Sequence, residues 1–136
     1  MSKFRQVNEH LFVSPQLLVE DLAAAKDIGI KTILCNRPDY EHGPDQPTIE
    51  TLGAETEALG MHFLALPFSP PPSPQTIAQQ GALIDAAETP VLAYCRSGTR
   101  SITAWALSKA GKGQRDSILE SAARAGYDLS GIAKYL

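Results

Sequence analysis

The feature that most constrains the fold of this 136-residue chain is a regular alternation of short apolar, β-prone runs with helix-like segments. The strand-like runs cover residues 11–13, 31–36, 61–68 and 91–95, and a helical pattern follows each of them. Such alternation is typical of a parallel sheet covered by helices. The pattern therefore predicts an α/β fold with three layers, in which helices flank a mainly parallel sheet of four or five strands.

Capping residues and glycines predict where the helices begin and end. Ser14 followed by Pro15 predicts an N-cap and first turn for the first helix, which Gly29 should close. Ser73 and Pro74 predict the same kind of start for the third helix. The other helices are expected over residues 48–59, 99–110, 114–125 and 130–136.

Chain length and charge pattern narrow the class of protein. A chain of this size can bury about two thirds of its unfolded surface, which suffices for one core, so 1–136 is expected to be a single domain. Residues 38–94 carry eight acidic groups and no Lys or Arg, whereas residues 95–136 have a net charge of +4. Because the acidic middle of the chain would repel a phosphate backbone, nucleic acid is not an expected partner.

Other features of the sequence bear on its compartment and cofactors. No apolar run is long enough to span a bilayer, and the first residues lack the apolar stretch of a secretory signal. The two cysteines, Cys35 and Cys95, do not make a disulfide framework, so we expect a cytoplasmic protein with no membrane partner. His10, His42 and His62 have no metal-ligand spacing, and no metal or other cofactor is expected.

One strand–helix junction carries the chemistry. Cys95 ends the last predicted strand, and a short polar loop containing Gly98 leads into the next helix. Ligands of such sheets bind at the carboxyl ends of the strands, where loop amides and a helix N-terminus attract an anion. Arg100 adds a fixed positive charge. The sequence therefore predicts a reactive Cys95 thiolate in an anion-binding loop.

Each loop residue has an expected role. Cys95 is the expected nucleophile, and Arg100 is expected to bind the transferred group. Arg96 is expected to face outward, where it either binds an anionic substrate or is a solvated surface arginine. Ser101 either donates its hydroxyl to the Cys95 sulfur or caps the helix. The remaining expected substrate-binding residues are Ser97, Gly98 and Thr99.

The segment YCRSGTRS resembles the active-site loop of single-domain rhodaneses, in which a cysteine carries sulfur as a persulfide. The stretches VNEHLFVSPQL, EDLAAAKDIGIKTILCNRPDYE and MHFLALPF resemble small dual-specificity phosphatases. Over nearly its whole length, including ILESAARAGYDLS, the chain resembles the phosphatase-like domain of β-lactamase hydrolase-like proteins, the DUF442 family. This resemblance implies a cysteine-phosphatase-like fold, and it leaves open phosphatase and sulfurtransferase activity, both described for family members.

Loop length and a missing acid favour sulfur transfer. Cysteine phosphatases resemble one another in placing five residues between Cys and Arg. Here only four residues separate Cys95 from Arg100, which shortens the loop by up to about 3.5 Å. These phosphatases also resemble one another in an upstream Asp that serves as general acid, worth about 10²–10⁴ in rate. Residues 67–76 contain no Asp, Glu or His, and Asp39 or Glu41 is the weaker substitute.

The leading expectation is therefore a thiol-dependent sulfurtransferase. Cys95 would take sulfane sulfur from a small anionic donor such as thiosulfate, or from a persulfide, and pass it to a thiol, sulfite or cyanide. The alternative is a non-classical cysteine-dependent phosphatase. A third hypothesis is a catalytically weak binding module for a persulfide-oxidising partner enzyme, which the fused forms of the family imply.

Several other residues have simpler interpretations. Cys35 lies within a strand and is expected to be a small buried hydrophobe rather than a resolving thiol. Trp105 is expected in the core. Arg37, Asp39 and Glu41 follow the second strand, and we expect them to pair with one another rather than to line the mouth of the site.

Overall fold

A five-stranded sheet lies at the centre of the computed structural model, which describes residues 3–136. The strand order is β1-β2-β5-β3-β4, and every neighbouring pair is parallel except β1 with β2. This architecture confirms the expected three-layer α/β fold with a mainly parallel sheet. The strands are β1, Arg5–Gln6; β2, Leu11–Ser14; β3, Thr32–Cys35; β4, His62–Ala65; and β5, Val91–Tyr94.

Five α-helices and a terminal 3₁₀ helix, Ser130–Tyr135, connect and cover the strands. The predicted cap of the third helix is confirmed, because Ser73 accepts a hydrogen bond from the Thr76 N–H. Thr48 caps the second helix in the same way by accepting a hydrogen bond from the Thr51 N–H. The helices are α1, Val19–Asp27; α2, Ile49–Ala58; α3, Pro74–Ala86; α4, Thr99–Ser108; and α5, Arg115–Arg124. No helix within residues 3–136 has the length and apolar character needed to cross a membrane.

The first helix begins later than the sequence predicts, so the expected N-cap at Ser14 and first turn at Pro15 are wrong. Ser14 is the last residue of β2, where its backbone pairs with Tyr94, and its hydroxyl donates to the Pro15 carbonyl. The helix starts only after Leu18. Pairing of β2 with the central strand β5 holds this segment extended, and that non-local pairing overrides the local capping signal.

Strand β5 divides the core into two layers. Val91 and Ala93 contact one buried cluster together with α4, α5 and the 3₁₀ helix, while Leu92 and Tyr94 contact a second cluster with α1 and α2. This alternation follows from the period of two along a strand. Trp105 lies in the first cluster with 6% of its surface exposed, which confirms it as a core residue. The central position of β5 places the residue after it, Cys95, at the carboxyl edge of the sheet.

Candidate functional site

Cys95 and the proline run form two sides of one cavity. Cys95 directly follows β5, is 1% exposed, and lines a cavity of about 330 Å³. Pro70, Pro71 and Pro72 form another part of its wall. The loop contributes Arg96, Ser97, Thr99 and Arg100 to the lining.

The loop presents a backbone donor to the sulfur atom. The Gly98 N–H donates a hydrogen bond to Cys95 Sγ over 3.1 Å, and Gly98 is also the N-cap of α4. Gly98 has a φ of +93°, a left-handed conformation that residues with a side chain rarely adopt. The loop therefore directs an N–H group at the predicted nucleophile, an arrangement that favours negative charge on sulfur.

Arg100 is held in place by a carboxylate from a distant loop. Its Nη1 and Nη2 atoms donate to the two oxygens of Glu41 over 2.9 and 3.2 Å, and Nη1 also donates to the Phe68 carbonyl over 3.1 Å. These contacts use three of the five guanidinium N–H groups and leave the Nε–H and one Nη2–H. This remaining edge can bind two oxygens of an anion.

Glu41 also contacts a second guanidinium. Its Oε1 atom accepts a hydrogen bond from Arg37 Nε over 2.8 Å, and Arg37 is only 5% exposed. Partial burial by itself raises the pKa of Glu41, but hydrogen bonds from Arg100 and Arg37 outweigh it and hold the pKa of Glu41 below its ordinary value. Glu41 is therefore ionised at neutral pH and is not a proton donor.

Asp39 has a structural contact of its own. Its Oδ1 atom accepts a hydrogen bond from the Ile49 N–H at the start of α2. The expected pairing among the three residues after β3 is thus confirmed for Arg37 with Glu41 but not for Asp39. The ion pair from Glu41 to Arg100 was missed, because it joins residues that are 59 positions apart.

A buried pair of side-chain amides, Asn36 and Gln80, contacts the first turn of the helix that follows the Cys95 loop. Asn36 and Gln80 exchange two side-chain hydrogen bonds of 2.8 Å, and both residues are fully buried. Asn36 also donates to the Leu66 carbonyl, and Gln80 donates to the Ser101 carbonyl in the first turn of α4. This pair ties the ends of β3 and β4 to α3 and α4. The sequence carried no signal for it.

The other predicted loop residues differ in their placement. Ser101 is fully buried, and within residues 3–136 its hydroxyl has no hydrogen-bond partner, so neither the expected contact with Cys95 nor a cap is present. Arg96 is exposed at the rim of the cavity, as expected. The Ser97 hydroxyl donates to Thr99 Oγ1 and accepts the Thr99 N–H, so these two residues contact each other.

Cys35 is a buried thiol at the end of β3 that does not line the Cys95 cavity. It pairs with Tyr94 across β3 and β5, and its sulfur donates to the Arg37 carbonyl over 3.2 Å. Burial raises the pKa of Cys35, although a hydrogen bond with Tyr94 opposes the rise. Burial beside Cys35 also raises the pKa of Tyr94. Both side chains are thus neutral members of the second core cluster, which agrees with the structural interpretation of Cys35.

The amino-acid sequence matches a known domain family. Residues 3–112 match the profile of the phosphatase-like domain of β-lactamase hydrolase-like proteins. The β-lactamase hydrolase-like protein of Agrobacterium fabrum is 31% identical over 96% of this chain, and that of Xylella fastidiosa Temecula1 is 30% identical over 98%. The chain spans about a third of the length of these curated relatives.

Solved structures agree with this assignment. A candidate phosphatase from Neisseria meningitidis has a TM-score of 0.85 and 34% identity, with 98% of this chain and 96% of that chain covered. The catalytic domain of the yeast PP-IP phosphatase has a TM-score of 0.67 at 18% identity, with 98% and 82% covered, which shows a shared fold. These findings support the phosphatase alternative, and they give no support to sulfur transfer. The chain belongs to the family of phosphatase-like domains of β-lactamase hydrolase-like proteins.

Proposed function

We propose that this domain is a cysteine-dependent phosphatase for phosphoryl groups whose leaving group departs without being protonated. The observation that carries this proposal is the cavity shared by Cys95 and Arg100, in which the Gly98 N–H donates to the sulfur and Glu41 orients the guanidinium. Family membership and the phosphatase neighbours favour phosphoryl transfer as the chemistry of this cavity.

The proposed reaction has two steps. The Cys95 thiolate attacks phosphorus, an S–P bond forms, and the P–O bond to the leaving group breaks with its electron pair on oxygen. Water then attacks the phosphocysteine, which releases inorganic phosphate and regenerates the thiolate. The free Nε–Nη2 edge of Arg100 and the loop N–H groups bind the equatorial oxygens, where charge accumulates.

The absence of a free acid in the cavity limits the substrate class. The described lining of the cavity contains no carboxylate, and prolines form its outer wall. The carboxylate of Glu41, which contacts Arg100, is ion-paired with two arginines. An alkyl phosphate needs a proton on its leaving oxygen, which a general acid supplies. Aryl phosphates, acyl phosphates and phosphoanhydrides have leaving groups that depart as anions, so these are the expected substrates.

Loop length favours sulfane-sulfur transfer as a second candidate function. Only four residues separate Cys95 from Arg100, and a shorter loop fits a single sulfur atom better than a phosphoryl group. Cys95 would attack the outer sulfur of thiosulfate, expel sulfite with the S–S electron pair, and hold a persulfide until an acceptor thiolate removes its outer sulfur. Neither step requires a general acid.

One experiment separates the two candidates. The full chain and Cys95→Ser are each incubated with an aryl phosphate, an alkyl phosphate and thiosulfate, and phosphate release and intact mass are measured. The proposed phosphatase releases phosphate from the aryl ester at least about 100-fold faster than from the alkyl ester. Cys95→Ser abolishes this release.

A different set of results would reject the phosphatase in favour of sulfur transfer. A cyanide-sensitive mass gain of one sulfur after thiosulfate treatment, absent in Cys95→Ser, together with no phosphate release from any ester, would reject the phosphatase and establish sulfur transfer. Failure of both reactions would leave the binding module and reject catalysis at Cys95 with these substrates.

A further inference from the structure

The peptide unit between Ser97 and Gly98 has contacts at both of its ends. Its N–H donates to Cys95 Sγ over 3.1 Å, while its carbonyl accepts a hydrogen bond from the Tyr127 hydroxyl over 2.9 Å. In a planar trans peptide the C=O and N–H bonds point in opposite directions. A contact that holds the carbonyl away from the sulfur therefore holds the N–H toward it.

We propose that Tyr127 is a positioning residue for the Cys95 thiolate, because its hydroxyl fixes the Ser97–Gly98 peptide with the N–H directed at sulfur. If this peptide rotated by half a turn, a carbonyl oxygen would face the sulfur and oppose its negative charge. The proposal rests on Cys95 as the nucleophile of the proposed function but not on which group Cys95 transfers.

A folded element delivers the tyrosine to the loop. Helix α5 is followed by Gly126, whose φ of +95° reverses the chain, and the Tyr127 N–H then donates to the Ala122 carbonyl over 2.8 Å. The half-buried ring packs against the first core cluster. The hydroxyl therefore approaches the loop from a fixed direction.

The fit between Tyr127 and Gly98 is close. A Cβ atom added to Gly98 would lie 2.1 Å from the Tyr127 oxygen and 2.9 Å from the ring carbon that bears it. No side chain fits in that space. The glycine thus serves two purposes, since it permits the positive φ of the loop and also leaves room for the tyrosine hydroxyl.

The tyrosine remains a hydrogen-bond donor when the thiol ionises. Burial raises the pKa of Tyr127, the charge on Cys95 raises it further, and Arg5 opposes both effects. The phenol therefore keeps its proton across the range in which a thiolate forms. The other charged or titratable groups around Cys95 are Arg96, Arg100, Glu41 on Arg100, and Cys35 at the end of β3.

Replacement of Tyr127 by phenylalanine tests the proposal, because it removes the hydroxyl and keeps the ring. The rate of Cys95 alkylation by iodoacetamide is measured in the full chain from about pH 5 to about pH 10, with the modified peptide identified by mass. In Tyr127→Phe the midpoint of this profile should move up by about one pH unit. Below the midpoint, alkylation and aryl phosphate turnover should each fall about tenfold.

Tyr135→Phe is the matched control. Tyr135 lies in the 3₁₀ helix and is 60% exposed, so its substitution should leave the alkylation profile unchanged. Gly126→Ala is a second variant, which keeps the hydroxyl but disturbs the turn that directs Tyr127. It should move the midpoint in the same direction as Tyr127→Phe.

The melting temperature of each variant is measured as well. All alkylation rates are then measured at one temperature well below the lowest melting temperature, so that every variant is folded. An unchanged midpoint in a folded Tyr127→Phe variant would overturn the proposal. Slower turnover with an unchanged alkylation profile would also overturn it, because Tyr127 would then act on the substrate and not on the thiolate. Since alkylation needs no substrate, the test stands even if the proposed phosphatase activity fails.

Discussion

Glu41 is the residue that connects the site to the buried charge beneath it. Its carboxylate contacts Arg100 in the loop and also Arg37, whose guanidinium is almost fully buried. A buried guanidinium without a counter-charge is costly, so this carboxylate stabilises the fold as well as orienting the loop. The same contacts keep Glu41 ionised, so it does not serve as a general acid beside Cys95.

The lowered pKa of Glu41 predicts a specific pH dependence of stability. A carboxyl group with a depressed folded-state pKa stabilises the fold above its ordinary pKa of about 4.3 and loses this contribution as the pH falls through the folded-state value. Glu41→Gln should therefore melt at a lower temperature than wild type at neutral pH. The difference should shrink as the pH falls below about 4.3, as measured by thermal unfolding.

Asp45→Asn provides the control for this prediction. Asp45 lies exposed in the same loop and forms no ion pair with any residue from 3 to 136. Its substitution should leave the pH dependence close to that of wild type. Equal shifts in Asp45→Asn and Glu41→Gln would contradict a specific contribution from Glu41.

At the level of helices and strands, Asn36 and Gln80 join four elements. Gln80 is a polar residue on the buried face of α3, and its amide reaches both Asn36 after β3 and the Ser101 carbonyl in α4. Because α4 begins at the loop that follows Cys95, this contact fixes the helix whose N-terminus faces the cavity. A buried amide is tolerated there because its hydrogen-bonding groups have partners.

Gln80→Leu should therefore be strongly destabilising. The substitution keeps a similar volume but removes two hydrogen bonds with Asn36 and one to the Ser101 carbonyl. It leaves the buried Asn36 side-chain oxygen without its Gln80 donor, at about 1–3 kcal/mol for that group. We expect the free energy of unfolding, measured by urea denaturation, to fall by about 2–4 kcal/mol.

Gln79→Leu is the neighbouring control, since Gln79 is exposed on the same helix. Its effect should stay within about 0.5 kcal/mol. A similar loss in the two variants would mean that the buried amide pair contributes nothing beyond helix packing.

Across the whole molecule, the C-terminal segment belongs to the same core as the sheet. The family profile matches residues 3–112, yet Ile118, Leu129 and Leu136 lie in one buried cluster with Val91 of β5. The segment that carries Tyr127 is therefore part of the folding unit. This packing explains how a residue outside the matched region can hold a fixed position beside the loop.

Leu129→Ala tests whether this segment unfolds together with the sheet. Leu129 is 5% exposed, and its truncation should lower the free energy of unfolding by about 2–4 kcal/mol. Far-UV circular dichroism and Trp105 fluorescence should shift together, because Trp105 lies in the same cluster. Leu18→Ala, at an exposed leucine, is the control with little expected effect. Two separate transitions would contradict a common core.

The fold was largely predictable because its signals are local. Alternating apolar runs marked β2 to β5, and the Ser73–Pro74 cap marked the start of α3. Strand β1 was missed, since two exposed residues carry no periodicity. The start of α1 was misplaced, because Ser14 has the local chemistry of a cap but a backbone paired with the central strand.

The contiguous loop was equally accessible from sequence. Six residues from Cys95 to Arg100 hold the sulfur, the glycine and the arginine together, and chain connectivity alone keeps them adjacent. The residues that contact this loop and the helix after it lie far away along the chain. Glu41, Gln80 and Tyr127 lie 59, 21 and 30 positions from the residues that they contact.

Order along the chain thus determined the strand–helix pattern, the loop and its candidate nucleophile. Folding determined which carboxylate neutralises Arg100, which amide supports α4 and which hydroxyl orients the Ser97–Gly98 peptide. The difference has a physical cause, because such contacts depend on strand order and helix packing across the sheet. Hydrogen bonds and ion pairs form over about 3 Å, a distance that spacing along the chain does not specify for residues so far apart.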